Sequence, residues 1–93
     1  MSQKMKAALT ILAEDGGLAA MAWPLVSLSE GAVDWEKIFQ LPLSHEQRAM
    51  CEWARCLWLD EVPLGTNPFG SILGLDANVR RAILKAASIR WRL

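Results

Sequence analysis

The sequence predicts an all-α fold, a small bundle of five to six helices, some of them short, in a single domain spanning residues 1–93. Three observations support this prediction. Apolar residues recur at the three-to-four-residue spacing of helices, and no run of alternating apolar and polar residues indicates a strand. Capping residues, glycines and prolines separate these apolar segments from one another. The predicted helices cover residues 2–15, 18–29, 35–40, 44–60, 68–73 and 76–92.

The helix boundaries follow from capping residues and from the positions of glycine and proline. Gly16 and Gly17 end the first predicted helix, because glycine adopts the left-handed cap conformation without strain. Pro24 lies inside the second, almost wholly apolar segment, where it either begins a new turn or kinks a buried helix. The candidate N-cap residues of the other helices are Ser2, Asp34, Ser44, Asn67 and Asp76.

The segment 44–60 has the clearest helical signal. Ser44 and Gln47 have the spacing of a capping box, and neither glycine nor proline interrupts the residues that follow. Apolar side chains cover an arc of about 220° on a helical wheel, so we expect this helix to be buried and central. Trp53 lies in the middle of that arc and is therefore assigned to the core.

The two cysteines of the chain, Cys51 and Cys56, lie on the same predicted helix. A spacing of five residues separates them by about 140°, so they cannot form a disulfide bond with each other there. We expect both to act as small core residues in a reduced, cytoplasmic protein. No segment resembles a signal peptide, and the uncharged stretch 16–29, which no other stretch exceeds in length, is shorter than the ~20 residues of a membrane span.

Tryptophan is unusually frequent. The 93 residues include five tryptophans and no tyrosine, and 53% of the chain is hydrophobic. Each tryptophan side chain can bury about 150–250 Å², and a domain of this size has few interior positions for five of them. We therefore expect a homo-oligomer, with a dimer favoured, that associates through a tryptophan-rich apolar surface. The residues predicted to form this interface are Leu18, Met21, Trp23, Leu25, Trp58 and Trp91.

Acidic and basic residues are segregated along the chain, although the formal net charge is zero. Residues 14–61 contain nine acidic and three basic residues, whereas residues 77–93 contain five basic residues and no acidic one. The basic C-terminal helix is compatible with a solvated face, with contact to an acidic protein partner, and with contact to nucleic acid. The candidate residues for anion or nucleic-acid contact are Asn78, Arg80, Arg81, Lys85 and Arg92.

The segment at about 66–92 resembles a helix-turn-helix DNA-binding unit. The residues that carry the resemblance are Gly70, Leu73, Gly74, Leu75 and Asp76. A small residue four positions before the turn glycine, apolar residues on both sides of that glycine and a polar cap are typical of the family. The resemblance implies two helices, the second of which enters the major groove with Asn78, Arg80 and Arg81 facing DNA.

No catalytic, cofactor or metal site is predicted. His45 is the only histidine, and the residues at helical spacing from it, Arg48 and Ala49, cannot bind a metal ion. The glycine-rich segment 64–70 lacks the lysine of a phosphate-binding loop, and no pair of carboxylates is predicted to converge. The sequence therefore favours a non-enzymatic, self-associating interaction module without a small-molecule substrate or membrane partner. The alternative is a regulator that binds nucleic acid through the C-terminal helix.

Overall fold

Helices form most of the regular structure in the computed structural model, which describes all 93 residues. Five α-helices are joined by two short 3₁₀ helices, Trp23–Leu25 and Pro68–Gly74, and by one small β-hairpin. The α-helices and strands are α1 (Gln3–Leu12), α2 (Gly16–Ala22), β1 (Val26–Ser27), β2 (Ala32–Val33), α3 (Trp35–Ile38), α4 (His45–Leu59) and α5 (Ala77–Trp91). The predicted small helical bundle is confirmed in this general form.

Helix α1 lies between α4 and α5 and packs extensively on both. Half of its ten residues are buried, namely Met5, Ala7, Ala8, Ile11 and Leu12. Helix α4 buries six of its 15 residues, so the central position belongs to α1 and not to the segment 44–60 as predicted. The wide apolar arc of α4 includes Trp53 and Trp58. Trp53 packs against the 3₁₀ helix Pro68–Gly74 and Trp58 against α3, and both remain half-buried.

Side-chain contacts at the two ends of the bundle show the directions of the helices. Gln47, at the start of α4, donates a 3.2 Å hydrogen bond to the carboxylate of Asp15, which follows the end of α1. At the other end, the Lys4 ammonium lies 4.6 Å from the ring centre of Trp58. Helix α4 therefore runs antiparallel to α1.

Helices α4 and α5 run parallel to each other. Near their starts, Glu46 Oε2 accepts a 2.8 Å hydrogen bond from the backbone N–H of Asp76. Near their ends, Arg90 Nε donates a 2.8 Å hydrogen bond to the carbonyl oxygen of Leu57. This second bond holds the end of α5 beside the end of α4.

The local capping predictions are confirmed for four helices. Ser2, Asp34 and Asp76 accept hydrogen bonds from backbone N–H groups in the first turns that follow them. Ser44 and Gln47 form the complete capping box, with distances of 3.1 and 3.0 Å.

The segment Pro68–Gly74 differs, because it is a 3₁₀ helix and Asn67 makes no side-chain capping bond. The two α-helices implied by the resemblance to a helix-turn-helix unit are therefore not both present.

The segment 18–29 is not the continuous helix that the sequence predicts. Asp15 Oδ1 accepts a 2.8 Å hydrogen bond from Leu18 N–H, so Asp15 caps α2 and the two following glycines lie in its first turn. Pro24 lies in a 3₁₀ helix, after which the chain enters the antiparallel hairpin of β1 and β2. Gly31, at φ 63°, allows the tight turn. The prediction that the chain contains no strand is wrong, because two-residue strands are too short to produce an alternating pattern.

Candidate functional site

An apolar groove of about 220 Å³ lies between the C-terminal end of α4, the 3₁₀ helix Pro68–Gly74 and the end of α5. We call it the aromatic groove. Its walls include Trp53, Val62, Pro68, Phe69, Trp91 and the acidic residues Asp60 and Glu61. Trp91 and Phe69 are 57% and 65% exposed, so two aromatic rings of the groove present most of their area to solvent. The groove thus combines apolar walls with an acidic rim.

Trp53 holds one wall of the aromatic groove in place. Its indole N–H donates a 3.0 Å hydrogen bond to the carbonyl oxygen of Pro68. Its ring meets Phe69 edge-to-face, with ring centres 4.9 Å apart and an interplanar angle of 79°. Phe69 is therefore held in place by Trp53 while most of its own surface remains exposed. The opposite wall is fixed by the bond from Arg90 to Leu57, which holds the end of α5 beside α4.

The exposed apolar surface continues from the aromatic groove along α5. Leu84 is 70% exposed and precedes Trp91 by seven residues, which is about two helical turns. Both side chains therefore project in nearly the same direction, with the half-buried Ser88 between them. The buried side chains of this helix, which include Ala82 and Ala86, lie on the opposite face. We call the exposed surface formed by Leu84, Ser88 and Trp91 the outer face of α5.

The six residues predicted for the interface do not form one surface. Leu18 is fully buried in the core, so it is not available to a partner. Met21 and Leu25 are half-buried. Trp58 is half-buried and meets Trp35 edge-to-face, with ring centres 6.1 Å apart. Trp23 and Trp91 are the members with large exposed areas, each 57% exposed.

Trp23 and Trp91 lie at opposite ends of the bundle. Trp23 borders an apolar cleft of about 190 Å³ with Leu12 and Ala13, at the C-terminal end of α1. Trp91 lies beside the end of α4, and that end is next to the start of α1 through the contact between Lys4 and Trp58. Trp23 and Trp91, which were predicted to contribute to one desolvated centre, therefore do not meet within one copy of the chain.

Three of the five predicted anion-contact residues come together in the structure. Asn78, Arg81 and Lys85 line a groove of about 370 Å³ between α1 and α5, together with Thr10 and Glu14. We call it the polar groove. Arg81 donates a 2.9 Å hydrogen bond to the side-chain oxygen of Asn78. The other two predicted residues lie outside this groove: Arg80 is beside Leu84, and Arg92 follows the end of the helix.

The charges near these surfaces have no ionic partner within the chain. The two ion pairs of the structure are Lys37 with Asp34, at 3.8 Å, and Arg48 with Glu52, at 3.6 Å. The acidic rim of the aromatic groove and the basic residues of α5 take part in neither. Asp60, Glu61 and Arg80 therefore remain available to pair with another molecule, whereas Arg81 and Arg90 already donate hydrogen bonds within the chain.

The titratable residues do not assemble a reactive centre. Cys51 and Cys56 are buried free thiols, as predicted. Burial in the apolar interior raises the pKa of Cys51 to about 12 and also raises the pKa of Cys56. A raised pKa lowers the thiolate fraction, and the thiolate is the reactive form of cysteine. No three His, Cys, Asp or Glu side chains are arranged to hold a metal ion.

Val62, Phe69 and Leu84 are not among the site residues predicted from the sequence. The seven-residue spacing of Leu84 and Trp91 does indicate that these two share one flank of the C-terminal helix. No comparable local signal exists for Val62 and Phe69, because they reach Trp91 only through the packing of α4 against the 3₁₀ helix.

In comparisons with known proteins, no protein family, curated protein or solved structure matched the chain. None of the helices has both the length and the apolar character that crossing a membrane requires.

Proposed function

We propose that this protein is a small, non-enzymatic interaction module that self-associates through the aromatic groove and the outer face of α5. The observation that carries the proposal is the exposure of Trp91 and Phe69 beside a groove whose wall is already fixed by Trp53. Exposed aromatic side chains next to a preformed pocket are typical anchors of protein interfaces, because they bury a large area at a small cost in side-chain entropy.

The distribution of charge favours a second copy as the partner. Asp60 and Glu61 border the aromatic groove, while Arg80 and Arg81 flank Leu84 on the same helix that carries Trp91. A uniformly acidic or uniformly basic partner would complement one of these groups and repel the other. A second copy of the chain supplies both charges in equal number, in agreement with a formal net charge of zero.

The surface around Trp91 is a stronger candidate than the cleft beside Trp23. The cleft beside Trp23 has no charged residue in its walls and therefore offers no polar rim to select a partner. The aromatic groove has a polar rim and continues into a second exposed apolar residue, Leu84, on α5. An apolar centre with a charged rim is the usual arrangement of a specific interface.

The proposal is tested by the mass of the protein in solution, measured by light scattering behind a sizing column. We expect the wild-type chain at about twice its 10.3 kDa monomer mass, and Trp91→Ala as a monomer with an unchanged helical circular dichroism spectrum. Trp23→Ala is the matched control and should remain a dimer. A wild-type monomer at all attainable concentrations, or a dimer lost with Trp23→Ala and kept with Trp91→Ala, would refute the proposal.

Nucleic-acid binding is a second candidate function, favoured by the convergence of Asn78, Arg81 and Lys85 in the polar groove. Its test is the fluorescence anisotropy of a labelled DNA duplex at low and high salt. Binding should weaken steeply with salt, because phosphate contacts release counterions, and should be lost in Arg81→Ala/Lys85→Ala. The control Lys4→Ala/Lys6→Ala removes two lysines from α1 and should bind normally. Absence of binding at low salt excludes this candidate.

A further inference from the structure

We propose that two copies pair through α5 in an antiparallel arrangement, with a two-fold axis beside Ser88 that places Leu84 of each copy on Trp91 of the other. This inference rests on the self-association proposed above and specifies its register. It also assigns a partner to the charged groups that have none within the chain.

The spacing on α5 determines this register. Seven residues separate Leu84 from Trp91, which corresponds to about 10.5 Å along the axis and a rotation of only about 20° between the two side chains. The midpoint lies between Ala87, which is buried, and Ser88, which is half-buried. A small residue at the crossing point allows two helix axes to approach to about 8–10 Å. Each large apolar side chain then has the other as its neighbour.

Charge disfavours the parallel arrangement. In a parallel pair in register, Arg81 of one copy lies next to Arg81 of the other, and the same holds for Lys85. Like charges at an interface repel, and the basic residues of α5 have no acidic neighbour on their own helix after Asp76. In the antiparallel pair, Arg81 is separated from its counterpart by about 20 Å along the helix axis and Lys85 by about 7.5 Å.

The antiparallel register also brings opposite charges together. The bond between Arg90 and Leu57 holds the end of α5 beside the end of α4, where Asp60 and Glu61 border the aromatic groove. On the helical wheel of α5, Arg80 lies on the side of Leu84 that carries Arg90, whereas Arg81 lies on the side of the polar groove. When Leu84 of one copy lies opposite Trp91 of the other, Arg80 of the first copy therefore approaches this acidic rim. We expect Arg80 of each copy to face Asp60 and Glu61 of the other.

A cysteine at position 88 tests the position of the axis. Ser88→Cys places two thiols close to the two-fold axis, within the Cα separation of about 4.4–6.8 Å that a disulfide requires. Asn78→Cys is the matched control, because it lies on the exposed side of the same helix but about 28 Å from its counterpart in this register. Under mild oxidation at low protein concentration, Ser88→Cys should form a covalent dimer and Asn78→Cys should remain monomeric on a non-reducing gel. The native cysteines are buried and should not contribute.

Charge reversal tests the contact across the interface. Arg80→Glu and Asp60→Arg/Glu61→Arg should each raise the dissociation constant of the dimer by at least about tenfold, since each creates like-charge neighbours. Mixing the two variants should restore association as a heterodimer.

A wild-type dimer without preferential cross-linking at position 88, or without recovery in the mixed charge variants, overturns this register and leaves the proposed self-association intact. A wild-type monomer that also fails to cross-link at position 88 overturns both.

Discussion

Trp53 Nε1 donates a hydrogen bond of 3.0 Å to the carbonyl oxygen of Pro68, and this bond joins α4 to the 3₁₀ helix that forms a wall of the aromatic groove. Pro68 is buried and Trp53 is half-buried against the core. Buried carbonyl groups are rarely without a partner, because leaving one unpaired costs free energy. Trp53 is thus not the fully buried core residue that was predicted: it packs half-buried against the core and supports the more exposed Phe69.

Trp53→Phe is expected to lower the free energy of unfolding by about 1 kcal/mol. The substitution keeps an aromatic ring beside Phe69 but removes the indole N–H, which leaves the Pro68 carbonyl without its donor. Urea denaturation followed by circular dichroism measures the change. Trp23→Phe is the control, because its indole makes no hydrogen bond within the chain, and its effect should stay within about 0.5 kcal/mol. Equal stability of Trp53→Phe and the wild-type chain would contradict this prediction.

Asp15→Ala is expected to lower the free energy of unfolding by about 1–2 kcal/mol. The carboxylate caps α2 through Leu18 N–H and accepts a second hydrogen bond, from Gln47 on α4. The substitution removes both interactions, whereas Glu14→Ala removes an exposed neighbouring carboxylate that makes neither. Urea denaturation of the two variants at neutral pH separates the effect of the cap from that of charge. A cost for Glu14→Ala as large as that for Asp15→Ala would refute this explanation.

The same carboxylate should make stability depend on pH. The hydrogen bond from Leu18 N–H and then that from Gln47 lower the pKa of Asp15 below its ordinary value of 3.8. The unfolded chain therefore binds this proton more readily than the folded one. The stabilisation is complete well above the unfolded pKa and is lost as pH falls through the folded pKa. Asp15→Asn keeps a cap without the titration, so the stability advantage of wild type over this variant should shrink between about pH 6 and pH 3. An advantage that does not change with pH would contradict the prediction.

The features that the sequence predicted correctly depend on residues a few positions apart. Ser44 and Gln47 form their capping box within one helical turn, so the pattern is visible without knowledge of the fold. Asp15 shows the limit of such reasoning, because it can either end one helix or begin the next. In the structure it begins α2, and it also accepts a hydrogen bond from Gln47, 32 positions later in the chain. No local sequence pattern indicates that contact.

The site was harder to predict than the fold for the same physical reason. Trp91 was recognised as an interface candidate from its residue type, and its exposure fits that role. Within one chain it does not share a surface with Trp23, because the antiparallel packing of α1 against α4 places the two at opposite ends of the bundle. Phe69, by contrast, reaches the groove only through Trp53 and the 3₁₀ helix. Contacts between elements, rather than properties of single residues, determine which apolar side chains share a surface.

The two cysteines should differ in their response to self-association. Cys56 borders the aromatic groove, whereas Cys51 is fully buried in the core with a pKa raised to about 12 by that burial. In the variant Cys51→Ala, the remaining Cys56 should react slowly with a thiol reagent at pH 8, and more slowly still at protein concentrations that favour the dimer. In the variant Cys56→Ala, the remaining Cys51 should react only when the protein unfolds, and its rate should fall with protein concentration only as far as dimerisation suppresses unfolding.

Labelling with a chromogenic disulfide reagent at several protein concentrations measures both rates. Adding Trp91→Ala to the Cys51→Ala variant should abolish the concentration dependence of Cys56, because the groove then stays open. A rate for Cys56 that does not depend on concentration in a chain already shown to dimerise would indicate that the interface leaves the aromatic groove uncovered. If only Cys51 were protected as the concentration rises, dimerisation would act by suppressing unfolding and not by covering the aromatic groove.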